Sequence, residues 1–244
     1  MFDSNNTAKT TADRPGGELG RRPLHFIWIV DCSGSMSVDG KIQSLNNAVK
    51  EAIPHMRDVA RENPFAEILV RVLKFDSGAS WQVVKPTPVD QFSWQDLSAS
   101  GATRMGRALE MLAEELDVER IGGKGFPPVL ALVSDGQPTD DFAGGLRMLM
   151  SQPWGKRANR VAIGIGRVVD EKVLKEFIGN PEIPVLQANN PEALKNHIRV
   201  LSTVAVKVAS APPSQVSNGS SSGMGQQLGL STANDTGNPG EDVW

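Results

Sequence analysis

Two acids stand where hydrophobic runs stop. In FIWIVDCSGSMS, residues 26–37, an apolar run ends at Asp31, and Ser33, Ser35 and Ser37 follow. In VLALVSDGQPTDD, residues 129–141, a second run ends at Asp135. A chain-reversing glycine comes soon after each acid, Gly34 in the first segment and Gly136 in the second. A third hydroxyl, Thr103, follows Gly101 in SGATRMGRAL, residues 100–109. Carboxylates and hydroxyls without His or Cys make an all-oxygen donor set. Such a set suits a hard divalent cation, Mg2+ above all, with Mn2+ and Ca2+ as alternatives. Mg2+ takes six ligands and keeps several waters, which leaves a position for water or for a carboxylate from outside. If the two apolar runs are neighbouring strands, the carboxylates lie about 5 Å apart. Two acids that close repel, and one holds a proton unless a cation sits between them. Taken singly, Ser33 and Ser35 are ordinary turn residues; the partner motifs make them candidate ligands.

The elements that must position these groups are legible from periodicity. LHFIWIV (24–30) is a continuous apolar run, as in a strand covered on both faces. In KIQSLNNAVKEAIPHMRDVARE (41–62), Ile42, Leu45, Val49, Ile53, Met56 and Ala60 fall at helical steps of three and four. Pro54 removes one backbone bond there and predicts a kink. AEILVRVLKF (66–75) and ASWQVVK (79–85) are separated only by Asp76, Ser77 and Gly78, which predicts a hairpin. RMGRALEMLAEELD (104–117) reads as a helix and PVLALVS (128–134) as a buried strand. A helix capped by Asp140 or Asp141 runs to Met150. RVAIGIG (160–166) and IPVLQA (183–188) are strands, with a short helix, EKVLKEFI (171–178), between them. PEALKNHIRVLSTVAVKVA (191–209) closes the chain's ordered part, with Pro191 in its first turn. Alternating strands and helices imply a mostly parallel sheet covered on both faces. In such sheets the site lies at the carboxyl ends of the strands, where the strand order reverses.

The 244 residues are expected to divide into a flexible N-terminal arm (1–22), one domain (23–210) and a disordered Ser/Gly-rich acidic tail (211–244). The net charge of -3 is carried by Asp235, Glu241 and Asp242 in the tail, leaving the rest neutral. That balance lacks the basic footprint of a nucleic-acid binder. No apolar stretch approaches the roughly 20 residues of a membrane span. The first residues lack a hydrophobic signal core, and Cys32 is the only cysteine. A reducing, cytoplasmic location is therefore expected. The closing EDVW places a lone Trp on a polar tail and reads at most as a short docking peptide.

Together DCSGSM (31–36), SGATRMGRAL (100–109) and VLALVSDGQPTDD (129–141) resemble the three parts of the metal-ion-dependent adhesion site of von Willebrand factor A (VWA) domains. The resemblance covers the element order from residue 24 to about 208. The SDGQPTDD form is similar to the bacterial TerY-like group associated with tellurium resistance. The resemblance implies a doubly wound α/β, Rossmann-like fold. Its sheet has six strands in the order 3-2-1-4-5-6, with strand 3 antiparallel and helices on both faces. Carried over position by position, it implies Asp31, Ser33, Ser35, Thr103 and Asp135 as the metal set. The loop before Thr103 reads SASGAT, a mild variant of the family's Gly-Gly-Thr or Gly-x-Thr.

By the same resemblance, the expected activity is binding: the metal bridges to an Asp or Glu on a protein partner. Relatives imply kinase- or phosphatase-like partners in a stress response, or a ring-forming ATPase. The alternative is an Mg2+-dependent phosphotransfer or phosphatase enzyme. Haloacid dehalogenase-like phosphatases need a second acid two residues after the first, and here that position is Ser33. His25, His55 and His197 lie away from the carboxyl edge, so no Ser-His-Asp triad is expected. Cys32 is expected to be an inert buried thiol. Asp76 is expected to shape its hairpin, and Asp140 and Asp141 to cap helices or face solvent. Trp81 and Trp94 are candidates for exposed contacts.

Overall fold

The computed structural model describes residues 20–167 and 169–210. The expected tail, and all of the expected arm except residues 20–22, lie outside the described residues. Strand β1 (Arg22–Asp31) is buried from Leu24 to its end, as a continuous apolar run requires of a central strand. It lies between β2 (Ala66–Phe75) and β4 (Val129–Ser134), parallel to both. Outward from β2 comes β3 (Ala79–Pro88), antiparallel to it. Outward from β4 come β5 (Asn159–Ile165) and β6 (Leu186–Ala188), both parallel. The sheet order is therefore β3-β2-β1-β4-β5-β6, as the family resemblance implied, with one antiparallel strand and helices around the sheet.

Helix α1 (Lys41–Glu62) connects β1 to β2, and α4 (Phe142–Ser151) lies between β4 and β5. These crossovers step in opposite directions from the sheet centre. Right-handedness therefore places their helices on opposite faces. Helix α7 (Pro191–Ala209) packs on α1, and α2 (Met105–Glu115) packs on α4. All six α1 positions chosen by periodicity are buried. The helix continues through Pro54, which faces solvent. Lys50, whose carbonyl loses its partner to that proline, is also exposed, so water can satisfy the oxygen.

Boundaries shift where local chemistry outweighs the apolar pattern. Strand β3 runs three residues past Lys85. The last strand is shorter than IPVLQA: only Leu186–Ala188 pairs, because Pro184 brings no N–H to a ladder. Two short helices, α3 (Val118–Ile121) and α5 (Pro153–Arg157), carry too few turns to show a period. Helix α6 (Glu171–Ile178) has the bounds expected of it. Trp94 is not an exposed contact. It is buried in the core, and its indole N–H donates to Asn46 Oδ1 at 2.9 Å. Trp81 is half-buried, its ring covered by the Arg71 guanidinium 3.8 Å from the ring centre.

Candidate functional site

Strand pairing puts the two acids on one edge. The β1–β4 register runs from Phe26↔Val129 to Val30↔Val133, so Asp31 ends its strand beside Ser134 and Asp135 follows one residue later, both at the point where strand order reverses. Asp31 is fully buried. One carboxylate oxygen accepts the Ser33 backbone N–H at 2.8 Å, and the other accepts the Ser134 hydroxyl at 2.5 Å. Burial, the larger influence, holds its carboxyl above the ordinary range. The hydrogen bonds from Ser134 and Ser33 oppose that rise, and the nearby Asp135 charge adds to it.

The hydroxyls converge. Ser33 Oγ and Ser35 Oγ are 3.0 Å apart, and Ser35 Oγ donates to Asp135 Oδ1 at 2.7 Å. Lys41, the first residue of α1, donates from Nζ to Asp135 Oδ2 at 2.8 Å. Gly136 explains how Thr103 joins the group. A side chain begun on Gly136 would lie 3.7 Å from both Ser35 Oγ and Thr103 Oγ1, filling the space that these hydroxyls border. Cys32 points elsewhere: it is fully buried, and burial pushes its thiol up to about 12. It is therefore a protonated, inert thiol at neutral pH.

The loop carrying Thr103 has no regular structure of its own, so its placement depends on specific bonds. Ser100 N–H donates to Cys32 carbonyl at 2.7 Å, and Gly34 N–H donates to Gly101 carbonyl at 3.0 Å. Gly101 has φ +79° and lies against Ser77, whose hydroxyl accepts the Ala102 N–H at 3.1 Å. Asp76 shapes its hairpin as expected, accepting the Gly78 N–H at 3.0 Å. Farther back, Asn46 holds the loop's earlier part. Its side chain accepts from Leu97 N–H and donates to Leu97 carbonyl, both at 2.9 Å.

The third motif is joined to the second. Thr103 N–H donates to Thr139 Oγ1 at 3.2 Å, and Thr139 N–H donates to Thr103 carbonyl at 2.9 Å. Asp140 and Asp141 both cap helices, but different ones. Asp141 accepts from Gly144 N–H at the start of α4. Asp140 reaches back to α2, accepting from Gly106 N–H and Arg107 N–H, each at 2.8 Å. Both helix starts thereby satisfy amide groups that have no partner within the helix.

All five sequence-chosen residues thus face one small region at the carboxyl edge. Sequence reasoning missed Lys41, Ser134, Asn46 and Thr139 as supports. Ser134 and Thr139 sit inside the quoted third motif, but a hydroxyl in a strand end or loop carries no partner signal. Asn46 was visible as a polar residue on an otherwise apolar helix face. Lys41 had no signal at all. Among the described residues, no group of three or more His, Cys, Asp or Glu side chains could hold a metal ion. The oxygen donors gathered at this edge are two carboxylates and three hydroxyls.

No protein-family model and no curated protein matches the chain. Solved structures do match in fold. A von Willebrand factor type A protein from Catenulispora acidiphila superposes with TM-score 0.58 at 20% identity over 75% of this chain and 43% of that one. Proximal thread matrix protein 1 from the mussel byssus, with a zinc-occupied MIDAS motif, gives 0.54 at 17% identity, over 77% of this chain and 46% of that one. The open conformation of the pilus adhesin SpaC from Lactobacillus rhamnosus GG gives 0.61 at 14% identity, over 78% and 31%. The chain spans less than half the length of each of these solved proteins. The fold is that of the VWA domain: a six-stranded, Rossmann-like sheet with one antiparallel strand.

Proposed function

We propose that the domain is a metal-dependent protein-binding module. Asp31, Ser33, Ser35, Thr103 and Asp135 hold one Mg2+, for which Mn2+ or Ca2+ can substitute. An Asp or Glu of a partner protein then completes the metal's coordination. The observation that carries this reading is the convergence of three hydroxyls and two carboxylates where the strand order reverses. The spacing supports it. Oxygens at about 2.1 Å from an octahedral Mg2+ lie about 3.0 Å from their neighbours. Ser33 and Ser35 hydroxyls are 3.0 Å apart, and Ser35 and Asp135 oxygens are 2.7 Å apart. Hydroxyls also leave the ion less neutralised than carboxylates would, so it retains affinity for an outside anion. The mussel protein with a zinc-occupied motif shows that a chain of this fold takes a divalent ion.

The setting we propose is a bacterial, cytoplasmic stress response beside kinase- or phosphatase-like proteins. It rests on the similarity of SDGQPTDD to the TerY-like group. Ser33, in place of a second acid, favours binding over phosphoryl transfer. No helix among the described residues is long and apolar enough to cross a membrane. Calorimetry on EDTA-stripped protein tests the core of the reading. One Mg2+ or Mn2+ site is expected in the wild-type chain and none in Asp31→Ala. Equal metal binding by the two would overturn it.

A further inference from the structure

Lys41 has a position that no metal-ligand pattern requires. The segment Gly34–Gly40 does not run smoothly into α1: Val38 is extended, and Asp39 and Gly40 take left-handed backbone angles, φ 51° and 70°. A non-glycine residue rarely adopts that conformation. The reversal starts α1 beside the site, with Lys41 Nζ 2.8 Å from Asp135 Oδ2. The side chain of Lys41 is only 14% exposed and that of Asp135 1% exposed, so water screens this pair weakly.

We propose that Lys41 is a tethered counter-cation that competes with the divalent ion for Asp135 and reverses the sign of the site on loading. This inference rests on the metal reading given above. With both carboxylates ionised, Asp31 and Asp135 bring two negative charges and Lys41 one positive charge. The unloaded edge, with at most one net negative charge and no net positive charge, therefore does not attract an acidic partner. A divalent ion changes the sum to one positive charge, which attracts one. Without Lys41 the same ion would reach only neutrality. Lys41 thus makes the loaded edge selective for an anion, at the cost of weaker metal binding. A unit charge about 5 Å from a dication weakens binding on the order of ten-fold even at the dielectric constant of water.

Two measurements on wild-type and Lys41→Met protein test this. By calorimetry on EDTA-stripped protein, Lys41→Met should bind Mg2+ on the order of ten-fold more tightly than the wild type. By thermal melting, Lys41→Met should be less stable than the wild type in EDTA, where it leaves Asp135 without its cation. That difference should vanish at saturating Mg2+. Equal Mg2+ affinities, or a stability loss that persists unchanged at saturating Mg2+, would overturn the role given to Lys41 and leave the metal site standing. Failure of both proteins to bind Mg2+ would overturn the metal reading itself, and this inference with it.

Discussion

Asn46 offers a test of how the hydroxyl loop is held. It is 6% exposed on the inner face of α1, and its side-chain amide makes three hydrogen bonds, to Trp94 Nε1, Leu97 N–H and Leu97 carbonyl. All three partners belong to the irregular stretch between β3 and α2 that ends in Thr103. Asn46→Ala deletes the three bonds and leaves two donors and one acceptor buried without partners. Each bond contributes about 1 kcal/mol net, and an unsatisfied buried group costs about 1–3 kcal/mol. Some relaxation toward water is available, because Trp94 itself is 9% exposed. The expected loss is therefore about 3–4 kcal/mol, a large fraction of the roughly 5–15 kcal/mol that stabilises a domain. Asn46→Asp keeps an acceptor for both N–H groups but buries a carboxylate and sets its second oxygen against the Leu97 carbonyl, so it should cost more still. Urea titration in EDTA reads both values free of metal linkage. A loss under 1 kcal/mol for Asn46→Ala, or a smaller loss for Asn46→Asp than for Asn46→Ala, would show that apolar packing and not this amide holds the loop.

Other consequences are open to direct measurement. Asp140→Ala should destabilise by about 1–2 kcal/mol in urea, because Gly106 and Arg107 amides at the start of α2 lose their acceptor; no change would mean that water replaces the cap. Gly106→Ala should cost more than about 2 kcal/mol, since a Cβ there would fall 2.5 Å from the Asp141 carbonyl oxygen where α2 meets α4; melts within a degree of the wild type would refute that close approach. The Cys32 thiol, pushed up to about 12 by burial, should resist iodoacetamide at pH 8 in native protein and react in urea. Burial, and secondarily the Arg71 charge, lowers the His25 imidazole to about 4, against 6.5 ordinarily. The unfolded chain therefore binds a proton that the native chain refuses, and stability falls as pH drops from 6.5 toward 4. At pH 4.5 this contribution is about 2.5 kcal/mol. His25→Leu should gain that much relative to the wild type between pH 7 and pH 4.5 in urea titrations; identical pH slopes would refute it.

The sheet was legible because its central strands are buried on both faces. LHFIWIV and VLALVS admit few other readings, and DSG between two β-rich runs leaves room only for a hairpin. Of the candidate site, Asp31, Ser33, Ser35 and Asp135 were legible because they follow directly on two of those strands, whereas Thr103 was carried only by its motif, in an irregular loop before α2. What escaped was everything decided by tertiary reach. A lysine at a helix start looks like any solvated charge until the fold brings Asp135 against it. Asp140 read as a cap, but the helix it caps begins far earlier in the chain. Trp94 sits in a loop, where an aromatic side chain has no periodic pattern to mark it as buried. Its burial depends on an asparagine that the helix pattern gave no reason to pair with it. Strand ends moved where proline, not hydrophobicity, governed the backbone.

The Asp140 cap also has a meaning in time. A chain emerges from the ribosome in order, at about 5–20 residues per second. Asp140 is 34 residues downstream of Gly106, so the start of α2 waits about 2–7 s for the carboxylate that closes it. The hydroxyl that Asp31 accepts from lies 103 residues downstream, a wait of about 5–20 s. Throughout that interval β1 has no complete neighbour on its β4 side. The first motif is thus the earliest part of the site to be synthesised and among the last to be finished. A nascent chain stopped before Val129 would carry all three hydroxyls and one acid of the candidate set, but not the strand β4 whose end supplies the second acid.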